Sequence, residues 1–148
     1  MQERKSLGLD EARKIVEAAL EVLYEAKGRA ASVAVVDNAG DLVHFSRMDG
    51  ASPNSANVAI NKAYTAIFWK MNTKEVRALL EESNMDIAWF GNPRYSPIRG
   101  GVLIKSTDGA ILGAIGISGR IPKEPPDDED VAQAGFKAYR ELKGAKGS

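Results

Sequence analysis

His44 is the only histidine in the chain, and it stands in the middle of LVHFSRM (42–48) between Val43 and Phe45. An imidazole there can be an axial ligand to haem iron only where its face of the sheet borders a cavity; otherwise it is simply a packed or edge-exposed strand residue. One histidine cannot build a multi-histidine metal cluster. The absence of cysteine excludes disulfides, thiolate catalysis and Cys-based zinc or iron–sulfur sites. Arg47-Met48-Asp49-Gly50-Ala51 joins this strand to the helix that follows. Charges at such a junction lie near outward-pointing N–H groups, a ready anion site; the local alternative is a turn in which Asp49 accepts N–H bonds and Arg47 pairs with it.

Lys62 falls in an alanine-rich helical stretch, one turn from Thr65. The simpler reading sends its ammonium to the surface along a snorkelling stem. Buried, it would suit a ligand carboxylate, or with a depressed pKa it could act as a base. Gly113, Gly116 and Gly119 recur every three residues along a strand, which marks a bend or the close approach of another backbone. The spacing is not GxGxxG, and no strand–loop–helix unit surrounds it. Asp127, Asp128, Glu129 and Asp130 form the most acidic run, read as a solvated helix start without EF-hand spacing.

These residues must be positioned by eight elements. Apolar residues from Leu9 to Tyr24 follow a helical stripe that Gly28 stops. Residues 31–37 and 42–48 read as a hairpin about Asn38-Ala39-Gly40. Ser52 caps a helix with Pro53 at its first position, running to about Lys70 with Ala56, Ala59, Ile60, Ala63, Ile67 and Phe68 inward. Thr73 caps a shorter helix over 74–82. Residues 83–99 lack a period but carry Trp89, Phe90 and Tyr95, so they fold over something apolar and could hide a short strand. A second hairpin spans 101–106 and 110–118. The last helix starts near 127–130, buries Val131, Gly135, Ala138, Tyr139 and Leu142, and ends at Gly144. The order α-β-β-α-α-β-β-α with tight turns predicts an antiparallel sheet with helices on both sides, a three-layer α/β/α domain.

Length and charge set the outer limits. At 148 residues the chain suits a single domain, 1–148, with an ordered core over about 7–142 and a loose tail over 144–148. Twenty basic residues balance twenty acidic ones, so no net charge draws nucleic acid or an anionic membrane. The first residues lack the apolar core of a signal peptide, and no apolar run approaches the roughly 18 residues that span a bilayer. The expected location is cytoplasmic.

VAVVDNAGDLVHFSRMDGA (33–51), KAYTA (62–66), Gly100-Gly101, GAIGISG (113–119) and D-x-x-VAQAG (128–135), in this order, resemble the GlcG/HbpS-like family. That family includes haem-binding and haem-degrading proteins and the C-terminal domain of PduO-type proteins. The likeness runs from about Leu7 to Leu142. Here the glycine pair is followed by Val102-Leu103, where the family has an apolar residue and proline. The resemblance implies a profilin-like α/β/α fold with a five-stranded antiparallel sheet, homo-oligomers, and haem or tetrapyrrole binding. Haem held by this chain would draw on His44, Arg47, Met48, Lys62, Thr65 and Arg120. A cofactor-free enzyme acting on a small organic acid is the alternative, with Arg47 as carboxylate anchor and Lys62 or Asp49 moving a proton. A homo-oligomer without chemistry is the third reading.

Overall fold

The computed structural model describes residues 5–145. The elements run α1 (Leu9–Ala26), β1 (Ser32–Asp37), β2 (Leu42–Arg47), α2 (Pro53–Trp69), α3 (Thr73–Glu82), a 3-10 turn (Ile87–Phe90), β3 (Gly101–Lys105), β4 (Ile111–Ser118) and α4 (Asp128–Ala145). This is the predicted order, an α+β fold with four helices. Two boundaries moved. Asn72, not Thr73, precedes the first turn of α3, and α4 continues through Gly144 to Ala145. Residues 146–148 of the expected tail lie outside the described residues.

The strands form one antiparallel sheet in the order β2-β1-β4-β3, so both hairpins meet along β1 and β4, and β2 and β3 are the edges. The fifth strand implied by the resemblance is absent from the described residues. Segment 83–99, where a strand could have hidden, is a 3-10 turn followed by a tight turn at Pro93-Arg94 and a bend at Ile98-Arg99. Proline withholds the N–H that a ladder needs. The segment does fold over apolar surface: Trp69 packs against Phe90 at 4.8 Å and Tyr95 at 5.8 Å between ring centroids. Asn92 donates to the Tyr64 hydroxyl at 2.7 Å.

Strand alternation divides the core. Val33, Val35, Ile115 and Ile117 join Ile15, Val16, Leu23 and Tyr139 from α1 and α4. Val36, Leu103 and Ala114 join Ala63, Ala66 and Ile67 from α2 on the other face. Phe68, expected inside, is half exposed. The side of α2 that faces β4 carries little more than methyl groups, and β4 answers with glycine. A Cβ at Gly116 would run into the Ala59 carbonyl oxygen and come 2.9 Å from the Ala63 nitrogen. These are backbone atoms that cannot swing aside. Gly116→Ala should therefore cost about 3 kcal/mol in urea denaturation, whereas Gly91→Ala, with open space around it but a φ of 72°, should lose only about 1 kcal/mol.

Candidate functional site

Lys62 lies on the alanine face of α2 and is 1% exposed, so the surface placement is wrong. Its Nζ donates to the Ile117 carbonyl at 2.8 Å and to Asp128 Oδ2 at 3.0 Å. The other Asp128 oxygen accepts the Arg120 backbone N–H at 2.8 Å. The small residues that bring α2 against β4 leave the lysine stem no way out, so the ammonium needs acceptors inside the fold. Gly100, at φ 121°, makes room: a Cβ there would sit 3.0 Å from Lys62 Nζ and 2.7 Å from the Ile117 oxygen. Burial pushes the Lys62 ammonium below its ordinary pKa, with Asp128 opposing. Burial likewise pushes the Asp128 carboxyl up, against Lys62 and the Arg120 N–H. For both partners desolvation outweighs the attraction, the usual standing of a buried ion pair.

The acidic run is likewise not a solvated helix start. Asp127, Asp128 and Glu129 are all buried. Glu129 accepts from the Gly100 N–H at 3.2 Å and the Gln133 amide at 2.9 Å, and lies 3.8 Å from the Lys74 ammonium. Asp127 holds the Arg99 guanidinium, with Nε and a terminal nitrogen both at 3.0 Å, and accepts the Asp130 N–H at 2.9 Å. Burial alone would raise the Asp127 carboxyl, but the Asp130 N–H and Arg99 outweigh it and hold it below the ordinary aspartate value. Thr73 completes this end of the sheet, donating to the Ile98 carbonyl at 2.6 Å and accepting the Gly101 N–H at 2.9 Å. Asp128, Glu129 and Thr73 were missed by sequence reasoning. The signal for the carboxylates was present: a lysine amid helical alanines needs one.

The remaining candidates are dispersed. The Arg120 guanidinium donates to the carbonyls of Pro126, Lys27, Arg29 and Glu124 at 2.7–3.2 Å, so it staples loops together. Thr65 is buried, donating to Asn61 at 2.6 Å and accepting the Ser96 N–H at 2.8 Å. The Met48 sulfur accepts the Ala31 N–H at 3.4 Å. Asp49 is exposed in the turn after β2. His44 is half-buried on edge strand β2 opposite Val35, and its imidazole makes no hydrogen bond or ion pair among the described residues. Arg47, exposed, pairs with Ser32, whose hydroxyl meets Ser55 of α2 at 2.8 Å. Alternation therefore sets Arg47 on the α2 side and His44 on the α1–α4 side. The structure joins Lys62 and Arg120 through Asp128 and leaves His44 apart from both. No cluster of three or more His, Asp or Glu side chains suited to a metal occurs among the described residues. None of their helices is long and apolar enough to cross a membrane.

Residues 7–137 match the family model described as haem degrading protein HbpS-like. Protein GlcG of Escherichia coli K12 is 36% identical over 87 residues, 59% of this chain and 63% of that protein, so the match spans under two thirds of the curated relative. The structure of HbpS from Streptomyces reticuli, a double mutant, superposes with a TM-score of 0.77 at 31% identity, covering 93% of this chain and 89% of that one. A PduOC–heme complex gives a TM-score of 0.77 at 25% identity over 90% and 94% of the two chains.

Two outcomes test the charged network. Asp128→Asn leaves the buried Lys62 ammonium with neutral acceptors and no directly bonded carboxylate, and should cost about 3–5 kcal/mol in urea denaturation. Adding Lys62→Met removes that stranded charge and should recover part of the loss; a double variant less stable than the single one would contradict the assignment. Asp127 has its pKa shifted in the opposite direction to that of Asp128. Its depressed folded value means that its contribution is complete above about pH 4 and is lost as pH falls through that value. Arg99 is half exposed, so Arg99→Gln should flatten the acid limb between pH 6 and pH 3 by under about 1 kcal/mol.

Proposed function

The chain belongs to the HbpS-like family, and on that premise we propose that it binds haem or a related tetrapyrrole at an open, exchangeable site with His44 as the iron ligand. Bound haem supplies an iron centre whose chemistry depends on its axial base and on access to the open face. The observation that carries the reading is the state of His44, a half-buried imidazole on an edge strand with no hydrogen-bond partner among the described residues. Met48 and Thr65, the other candidate ligands, already hold backbone groups. Lys62 and Arg120 are committed to Asp128 and to loop carbonyls, and Arg47 stands on the opposite face of β2, so the reading rests on His44.

β2 offers a single surface, and one surface covers one face of a flat ring. A second copy of the chain would cover the other, which agrees with a homo-oligomer. The cofactor-free enzyme draws less support. A general base must reach the proton it abstracts, and Lys62 is sealed; Asp49 alone is open to solvent. The cytoplasmic location and the single-domain reading belong to this proposal.

Hemin titration followed by absorbance is the test. The wild-type protein should give a saturable Soret shift. His44→Ala should weaken binding at least about tenfold, a loss of about 1.4 kcal/mol or more, whereas Arg47→Gln, on the other face of β2, should change it by less than about twofold. Thr65→Ser should stay within about twofold. No saturation, or a titration unchanged by His44→Ala, would rule the site out.

A further inference from the structure

The two hairpin turns lie at the end of the sheet opposite Lys62. There the N-terminal residues, the β3–β4 turn and the last turns of α4 enclose a cleft of about 370 Å³, a size in the range of small-molecule sites. Its walls are fixed by backbone. The Leu7 N–H donates to the Leu112 carbonyl at 3.0 Å, and the Asn38 side-chain amide to the Lys5 carbonyl at 2.6 Å.

The floor is Tyr139, 3% exposed. The Tyr139 ring is packed inward, and its hydroxyl, which makes no hydrogen bond among the described residues, is accessible from the cleft that the residue lines. Burial, with Glu11 nearby, raises the phenol above its ordinary value, so at neutral pH it stays a protonated donor. Three cations in the lining face two carboxylates. Both carboxylates are already used: Glu11 holds Lys143 at 2.6 Å, and Asp108 accepts from the Ser106 hydroxyl and the Ala110 N–H. Arg140 makes a single long hydrogen bond, to the Ser106 carbonyl at 3.5 Å, which leaves most of its fork of donors for an incoming anion. Leu112 and the Tyr139 ring add apolar wall beside these donors.

We propose that this cleft binds a small oxyanion with a compact apolar body, the Tyr139 hydroxyl and the Arg140 guanidinium donating to its oxygens. The site is built from other elements than His44 and stands or falls separately from haem binding. Carboxylate and phosphate share the required chemistry, so both are tested, as benzoate and phenyl phosphate, by NMR titration of the full-length protein. At least one should saturate in the low-millimolar range. Arg140→Gln should weaken it about tenfold and Tyr139→Phe about fivefold, with hemin titration unchanged in both. Saturation by one probe alone supports the site and assigns the anion. Failure of both probes to saturate, or binding untouched by either substitution, overturns it.

Discussion

A charged lysine inside the fold constrains most of what surrounds it. Lys62 reaches from α2 across the end of the sheet to the Ile117 carbonyl of β4 and to Asp128, the first residue of α4. Helices on opposite faces of the sheet are thereby tied at one point. The tie adds little net stability, because removing both charges from water offsets most of their attraction. What it contributes is selectivity among packings: any arrangement that leaves α2 and α4 out of register strands an ammonium or a carboxylate in the core, at several kcal/mol. Arg120 and Gly100 are fixed by the same contacts, the first through its backbone N–H and the second through the space its missing side chain leaves.

Close approach is what makes the pair unavoidable. Ala59 and Ala63 on α2 meet Gly116 on β4 with backbone almost touching backbone. A larger residue on either side would lift the helix and open a route for water or for the lysine stem. The alanine stripe, the strand glycines and the buried charge are therefore one device: small side chains exclude solvent, and the excluded solvent obliges Lys62 to find protein acceptors.

This has a functional consequence. At the Lys62 end of the sheet the polar groups are turned inward and matched, so their chemistry is spent on structure. Groups with unused capacity sit elsewhere, His44 on an unpaired strand edge and Tyr139 beneath the cleft at the turns. In this chain the family frame leaves the residues with unused hydrogen-bonding capacity at its margins. Fold membership and site chemistry are separate questions here, as in most widely used folds.

Local pattern was legible. Period, caps and turns placed all four helices and both hairpins, with Ser52 receiving the Ser55 N–H and Pro53 opening α2. Motif order placed the family. Each of these signals acts over a few neighbouring residues, which is why a linear reading can recover it. Partners distant along the chain were not legible. Asp128 is 66 residues from Lys62, and Arg120 meets carbonyls more than 90 residues away. An acidic run that looks solvated becomes buried only when a helix from another part of the chain brings a cation to it. The sequence determined which residues need a partner; the tertiary structure decided which partner each received, because burial and charge pairing depend on three-dimensional proximity that no local periodicity encodes.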